Sequence, residues 1–115
     1  MADDCLFCRI VAGTIPAKVV LETDDCLAFR DVNPQAPVHV LVIPKRHVAS
    51  LDAAGPGDAE QLGRMALVAA EVARQEGVAE RGYRCVINTN AESGQTVFHV
   101  HLHLLAGRRL GWPPG

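Results

Sequence analysis

Apolar and polar positions alternate from residue 98 to residue 104: Phe98, Val100, Leu102 and Leu104 are interleaved with His99, His101 and His103. A repeat of two predicts a half-buried strand over residues 98–105, with Val100, Leu102 and Leu104 entering a core and all three imidazoles leaving the other face. A helix would spread the same histidines over roughly 200° of its circumference. Earlier in the chain, Leu6, Phe7, Ile10 and Val11 fall at helical spacing over residues 5–11, too short a run to stand alone. Residues 19–22 and 26–30 read as a hairpin turning at Asp24-Asp25, and residues 33–37 form a proline-rich loop. Residues 38–43, the most apolar run, predict a central strand closed by Pro44. Small residues at 53–57 lead to Asp58, a helix N-cap with Gln61 three positions on. Leu62, Met65, Ala69 and Val72 follow at helical spacing up to Gly77, residues 83–88 read as a further strand, and residues 89–95 form a polar loop.

Strands, one long helix, then strands, with no alternation of strand and helix, predict an α+β fold. Its sheet is mostly antiparallel, with the helix on one face and the histidines on the other face or at the edge. The 115 residues suit one domain, 1–115, able to bury a core. A net charge of -2 argues against nucleic acid as a partner, and Lys45-Arg46 and Arg108-Arg109 read as solvated surface. Met1-Ala2-Asp3-Asp4 lacks the pattern of a signal peptide and no stretch reaches membrane-spanning length, so the expectation is a cytoplasmic protein with no membrane contact. In a reducing compartment Cys26 and Cys85, each among apolar residues, are expected to be small buried thiols.

One histidine on a strand is usually a packed structural residue, but packing does not ask for imidazole at three successive outward positions in a chain with five histidines. Two chemistries fit. Alternate strand positions about 7 Å apart allow two imidazoles to share a metal ion, although catalytic metal sites usually add carboxylates, and the neighbours here are apolar, Thr or Gln. The other is nucleophilic attack on phosphorus, in which one imidazole forms a phosphoramidate while neighbouring donors neutralise phosphate oxygens. Ser93-Gly94-Gln95-Thr96, just upstream, offers backbone N–H groups and a hydroxyl to an anion.

His99-Val100-His101-Leu102-His103-Leu104-Leu105 resembles the signature of the histidine-triad (HIT) superfamily. Pro16-Ala17-Lys18, Ala28-Phe29-Arg30-Asp31, Pro34-Gln35-Ala36-Pro37, Val42-Ile43-Pro44-Lys45-Arg46-His47, Gly82-Tyr83-Arg84 and Trp112-Pro113-Pro114-Gly115 are similar to its Hint branch. The resemblance implies a hydrolase of purine nucleoside 5'-phosphoramidates that releases AMP and an amine, with purine nucleoside monophosphates as ligands and no cofactor required for catalysis. It implies a homodimer in which two five-stranded sheets join into one of ten. By motif position His101 is the nucleophile and His103 contacts the α-phosphate, with His99 and His47 as orienting or proton-relay partners. Asn88, Gln95 and Thr96 face the phosphate and leaving group, and Asp31 holds the ribose hydroxyls. Leu6, Phe7, Ile10, Phe29 and Val32 line the base pocket, and Trp112 reaches towards the leaving-group side, from the partner subunit. Thr96 stands where many relatives have Ser, which keeps the hydroxyl but stiffens the side chain. Without the family, the apolar residues read more readily as plain core than as a base pocket, and Asp31 reads as a turn residue.

Cys5-x-x-Cys8 has the spacing of a zinc-binding pair but needs two more ligands. Some bacterial HIT proteins carry such a pair with zinc completed by residues matching His47 and His99; the choice here is between a structural zinc and two inert thiols. Zinc would take His47 and His99 out of any proton relay. The rival readings are a dinucleoside polyphosphate hydrolase, a nucleotide-binding interaction protein with vestigial activity and, last, a metal-dependent hydrolase.

Overall fold

The structure, a computed structural model, describes residues 4–115, so Met1-Ala2-Asp3 and the leader reading made on them lie outside the described residues. Its elements in chain order are α1 (Leu6–Val11), β1 (Val19–Glu22), β2 (Cys26–Arg30), β3 (Val38–Pro44), α2 (Ala59–Gln75), β4 (Tyr83–Val86) and β5 (Leu102–Ala106). The five strands form one antiparallel sheet in the order β1-β2-β3-β5-β4, the α+β arrangement expected from the pattern. No helix among the described residues is long and apolar enough to cross a membrane.

Alternation along β2, β3 and β5 divides the core in two. Cys26, Ala28, Val40, Val42, Val100, Leu102 and Leu104 share one face with Met65, Ala69 and Val72 of α2. Leu27, Phe29, Leu41 and Ile43 share the other with Phe7 of α1. The β3–β5 register sets Leu41 opposite His103 and His39 opposite Leu105, so both imidazoles rise from the α1 side of the sheet.

Several elements end differently from expectation. β5 begins at Leu102 rather than at residue 98, because the ladder that pairs Val42 with Leu102 would next need Pro44 opposite Val100, and proline has no N–H to give. The Val100 N–H donates instead to the Val48 carbonyl at 2.6 Å. β4 stops at Val86, opposite His103, because the partner strand runs out one residue further on. Asp58 stands at the N-cap position of α2, but its carboxylate accepts from the Gly55 N–H and from Arg46, while Gln61 donates to the Asp25 carbonyl. Cys26 is buried as expected; Cys85 is exposed, since β4 is an edge strand beyond the cover of α2.

Gly107 follows β5 with φ +93°, and a Cβ there would stand 2.8 Å from Pro37 Cβ. Gly77 ends α2 with φ +73° and nothing within 4 Å of a Cβ. Gly77→Ala is expected to cost about 1 kcal/mol from the left-handed backbone alone, and Gly107→Ala about 1–2 kcal/mol more from the added clash. Urea denaturation of both variants checks this; equal losses would mean that Pro37 yields freely.

Candidate active site

The histidine face gathers four imidazoles, three of them bonded to backbone groups and the fourth, His103, to the ring of His39. His101 is buried, and its Nδ1 lies 2.8 Å from the His99 carbonyl. A carbonyl only accepts, so Nδ1 carries the proton and the lone pair sits on Nε2. Burial pushes the His101 pKa down, partly offset by that hydrogen bond and by Asp31, so the ring is neutral near pH 7. The Phe7 ring meets it edge-on at 5.0 Å between centroids.

His103 has the opposite arrangement, through a residue that the pattern of the chain did not single out. The Gln35 N–H donates to His39 Nδ1 at 3.0 Å, which leaves the proton of neutral His39 on Nε2. That Nε2 lies 2.9 Å from His103 Nδ1, which must accept, so His103 keeps its own proton on Nε2. Burial, then the neighbouring His101 and His39, lower the His103 pKa to about 4. Asp31 Oδ2 stands 3.4 Å from His39 Nε2, while Oδ1 accepts from the Asn33 N–H at 2.8 Å. Asp31 is therefore both a turn residue and a neighbour of the histidine chain. His39 was hidden in the most apolar run; its parity with Leu41 and Ile43 was the available signal, but only the β3–β5 register turns that parity into contact with His103.

Asp31 and His39 also line a cavity of about 630 Å³ with Ile10, Phe29, Val32 and Pro34. Three of the five residues expected around a base are thus together, Val32 as a fully exposed rim. Leu6 and Phe7 are not among the lining residues. Phe7 is buried against Phe29 and His101, and Leu6 opens on a second cavity of about 400 Å³ beside His47, Thr96 and Phe98. Leu6 and Phe7 are successive residues of α1, about 100° apart around its axis, so they point in different directions.

The polar loop is also committed differently. The Gln95 side chain is buried, donating to the Ala49 and Val97 carbonyls and accepting from the Asn90 N–H, so it holds the loop rather than facing a ligand. The Gly94 and Gln95 N–H groups are spent on the Ala91 and Asn90 carbonyls, and the Ser93 hydroxyl on Thr89 and Asn90. Thr96 is exposed at the mouth of the second cavity, and Asn88 is half-buried just past β4. Trp112 is exposed, with the Arg84 guanidinium 6.0 Å from its ring centroid.

His47 and His99 sit with the cysteines. Cys5 Sγ lies 3.3 Å from His99 Nδ1, and Cys8 Sγ lies 3.3 Å from His47 Nδ1 and 3.5 Å from His99 Nδ1. All four ligand atoms lie within 4.8 Å of one another. A tetrahedral zinc with two sulfur and two nitrogen ligands has edges of about 3.3–3.8 Å, so the donor set fits. His99 Nε2 gives its proton to the Pro44 carbonyl at 2.8 Å, which leaves Nδ1 with a lone pair aimed at the thiols. His47 thus turns its Nδ1 towards Cys8, and His99 meets His101 through its carbonyl.

The profile of the HIT domain family matches residues 12–110. The chain is 46% identical over 111 residues to the purine nucleoside phosphoramidase of Escherichia coli K12, covering 96% of this chain and 93% of that protein. It is 56% identical over 115 residues to an uncharacterised HIT-like protein of Synechocystis, covering the whole of both. Among solved structures, a HIT family hydrolase from Legionella pneumophila superposes with a TM-score of 0.94 at 51% identity, covering 96% of this chain and 99% of that one.

The lowered histidine pKa values carry a consequence for stability. With its pKa near 4 in the fold against an ordinary value of 6.5, His103 is protonated more readily in the unfolded chain. Its contribution to stability is therefore whole above about pH 6.5 and is lost as pH falls towards 4, by at most about 1.4 kcal/mol per pH unit. Urea denaturation at pH 7, 5.5 and 4.5 should give a shallower loss for His103→Asn than for the unaltered chain; parallel losses would refute the depressed pKa.

Proposed function

This chain belongs to the HIT domain family, and from that premise we propose that it is a nucleotide-binding hydrolase cleaving the P–N bond of purine nucleoside 5'-phosphoramidates through a covalent nucleotidyl-His101 intermediate. The observation that carries the reading is the opposed placement of protons on neighbouring imidazoles: a lone pair on His101 Nε2 and an N–H on His103 Nε2. One suits attack on phosphorus and the other suits donation to a phosphate oxygen.

His101 Nε2 attacks the phosphorus and forms a new N–P bond as the bond to the substrate amine breaks, the departing nitrogen taking up a proton. The imidazole then carries positive charge, and its Nδ1–H strengthens its bond to the His99 carbonyl. Water attacks the same phosphorus, gives up a proton and frees His101, so one water is consumed for each nucleoside monophosphate and amine released. Asp31 holds the ribose hydroxyls while Ile10, Phe29 and Val32 take the base, a reading supported by the cavity they share. Asn88 and Thr96 lie towards the phosphate and leaving group.

Cys5, Cys8, His47 and His99 would hold a zinc ion. Four protein ligands would leave no position for water, so the ion would supply a cross-link between α1 and the histidine segment. The chain works as a homodimer through β4, which is an edge strand among the described residues and whose Tyr83 and Cys85 are exposed, with Trp112 reaching the partner's leaving-group side.

Hydrolysis of an adenosine 5'-phosphoramidate bearing a fluorescent amine tests the assignment. His101→Ala is expected to lower kcat by about 10³-fold or more, and the unaltered chain to be faster on this substrate than on diadenosine polyphosphates. The absence of turnover by the unaltered chain would leave nucleotide binding as the better reading, and faster cleavage of the polyphosphates would move the substrate class to P–O bonds.

A further inference from the structure

We infer that the Cys5–Cys8–His47–His99 site positions the nucleophile: by fixing His99 and α1 together it sets the tautomer and orientation of His101. The inference rests on the zinc reading above. His99 is the shared part. Its Nδ1 faces Cys5 and Cys8, its Nε2–H is held by Pro44, and its carbonyl receives the His101 Nδ1–H at 2.8 Å. A carbonyl anchored in this way allows one neutral tautomer, the one whose lone pair is on Nε2.

The second restraint on His101 hangs from the same site. α1 is only six residues long, too short to be stable by its own hydrogen bonds. Phe7 lies between the two cysteines on it and sets its ring edge against His101 at 5.0 Å and against His99 at 6.0 Å. Closing the four-ligand site thus fixes both the acceptor at Nδ1 and the ring packed on the imidazole. Opening it leaves the His99 ring held only by its bond to Pro44 and α1 only by the packing of Phe7, and with these looser restraints His101 regains the choice of tautomer. In the other tautomer Nε2 carries a proton and cannot attack. Cys5, Cys8 and the His99 ring are positioning residues in this account, since none of them touches the substrate.

The test compares full-length chain loaded with one equivalent of zinc with the same chain after removal by a strong chelator, with ¹⁵N-labelled histidine and at one fixed pH near 8. Metal uptake is read from zinc content and from the thiolate charge-transfer band on cobalt substitution. The His101 tautomer is read from its imidazole nitrogen shifts. The expectation is one zinc per chain and a single Nδ1–H tautomer when loaded. Removal should give a mixture of tautomers, with kcat about 10- to 100-fold lower and KM within about threefold. Cys8→His, which offers a nitrogen ligand in place of the sulfur, should retain zinc, tautomer and kcat together where Cys8→Ser does not. Zinc uptake with an unchanged His101 tautomer and kcat on removal would overturn the positioning role and leave the zinc reading standing. Failure to take up zinc or cobalt would overturn both. Methyl signals of Val40, Leu102 and Leu104 on the opposite face report whether the zinc-free chain stays folded; should they collapse, Cys8→Ser, which keeps three ligands and Phe7, takes its place in the comparison.

Discussion

The pairing of β3 with β5 is the constraint on which the rest depends. Val42 opposite Leu102 and Leu41 opposite His103 settle which side chains meet α2 and which meet α1. A slip of β5 by one residue would send His103 into the helix-side core and bring Leu102 and Leu104 out of it. Burial of those aliphatic residues beneath Met65, Ala69 and Val72, at roughly 1.5–3 kcal/mol for each large side chain, makes that slip prohibitive. The hydrophobic core on one face is what holds the chemistry of the other in register.

On that other face, ordinary backbone groups determine proton positions. The His99 carbonyl and the Gln35 N–H are fixed dipoles of opposite sense, and they leave His101 and His103 with complementary tautomers on one strand face. Burial keeps both rings neutral, so the lone pair and the donor coexist near pH 7. Neither ring depends on a carboxylate for this, although Asp31 tempers the shifts and stands between the cavity beside Phe29 and the His39 ring. The price of the arrangement is acid lability, since the unfolded chain binds these protons more readily.

α1 illustrates how a segment without intrinsic stability acquires a defined place. Phe7 enters the second core with Phe29, Leu41 and Ile43, and the thiols on either side of it meet His47 and His99. The segment contributes Ile10 to the cavity, Phe7 to the packing of His101 and two sulfur atoms to the candidate metal site, from six helical residues and the one before them. Residues so close in the chain serve different sites because each turn of helix redirects the side chains by about 100° per residue.

Local pattern alone determined that residues 26–30 and 38–43 are strands, that α2 buries Met65, Ala69 and Val72, and that Val100, Leu102 and Leu104 face away from the three histidines. Alternation and helical spacing are properties of neighbouring residues, so they are written along the chain. Where the ladders stop was not legible: β5 starts late because Pro44, remote in sequence, has no N–H, and β4 ends because its partner does. Cys85 read as buried because it lies in a strand-like run, whereas its exposure depends on lying at the sheet edge. The histidine motif marked the site, and the cysteine spacing marked its neighbour. The separate destinations of Leu6 and Phe7, the commitment of Gln95 to its loop and the pairing of His39 with His103 were decided by tertiary structure. Each rests on a contact between residues distant in sequence, and only strand register and packing bring such residues within reach.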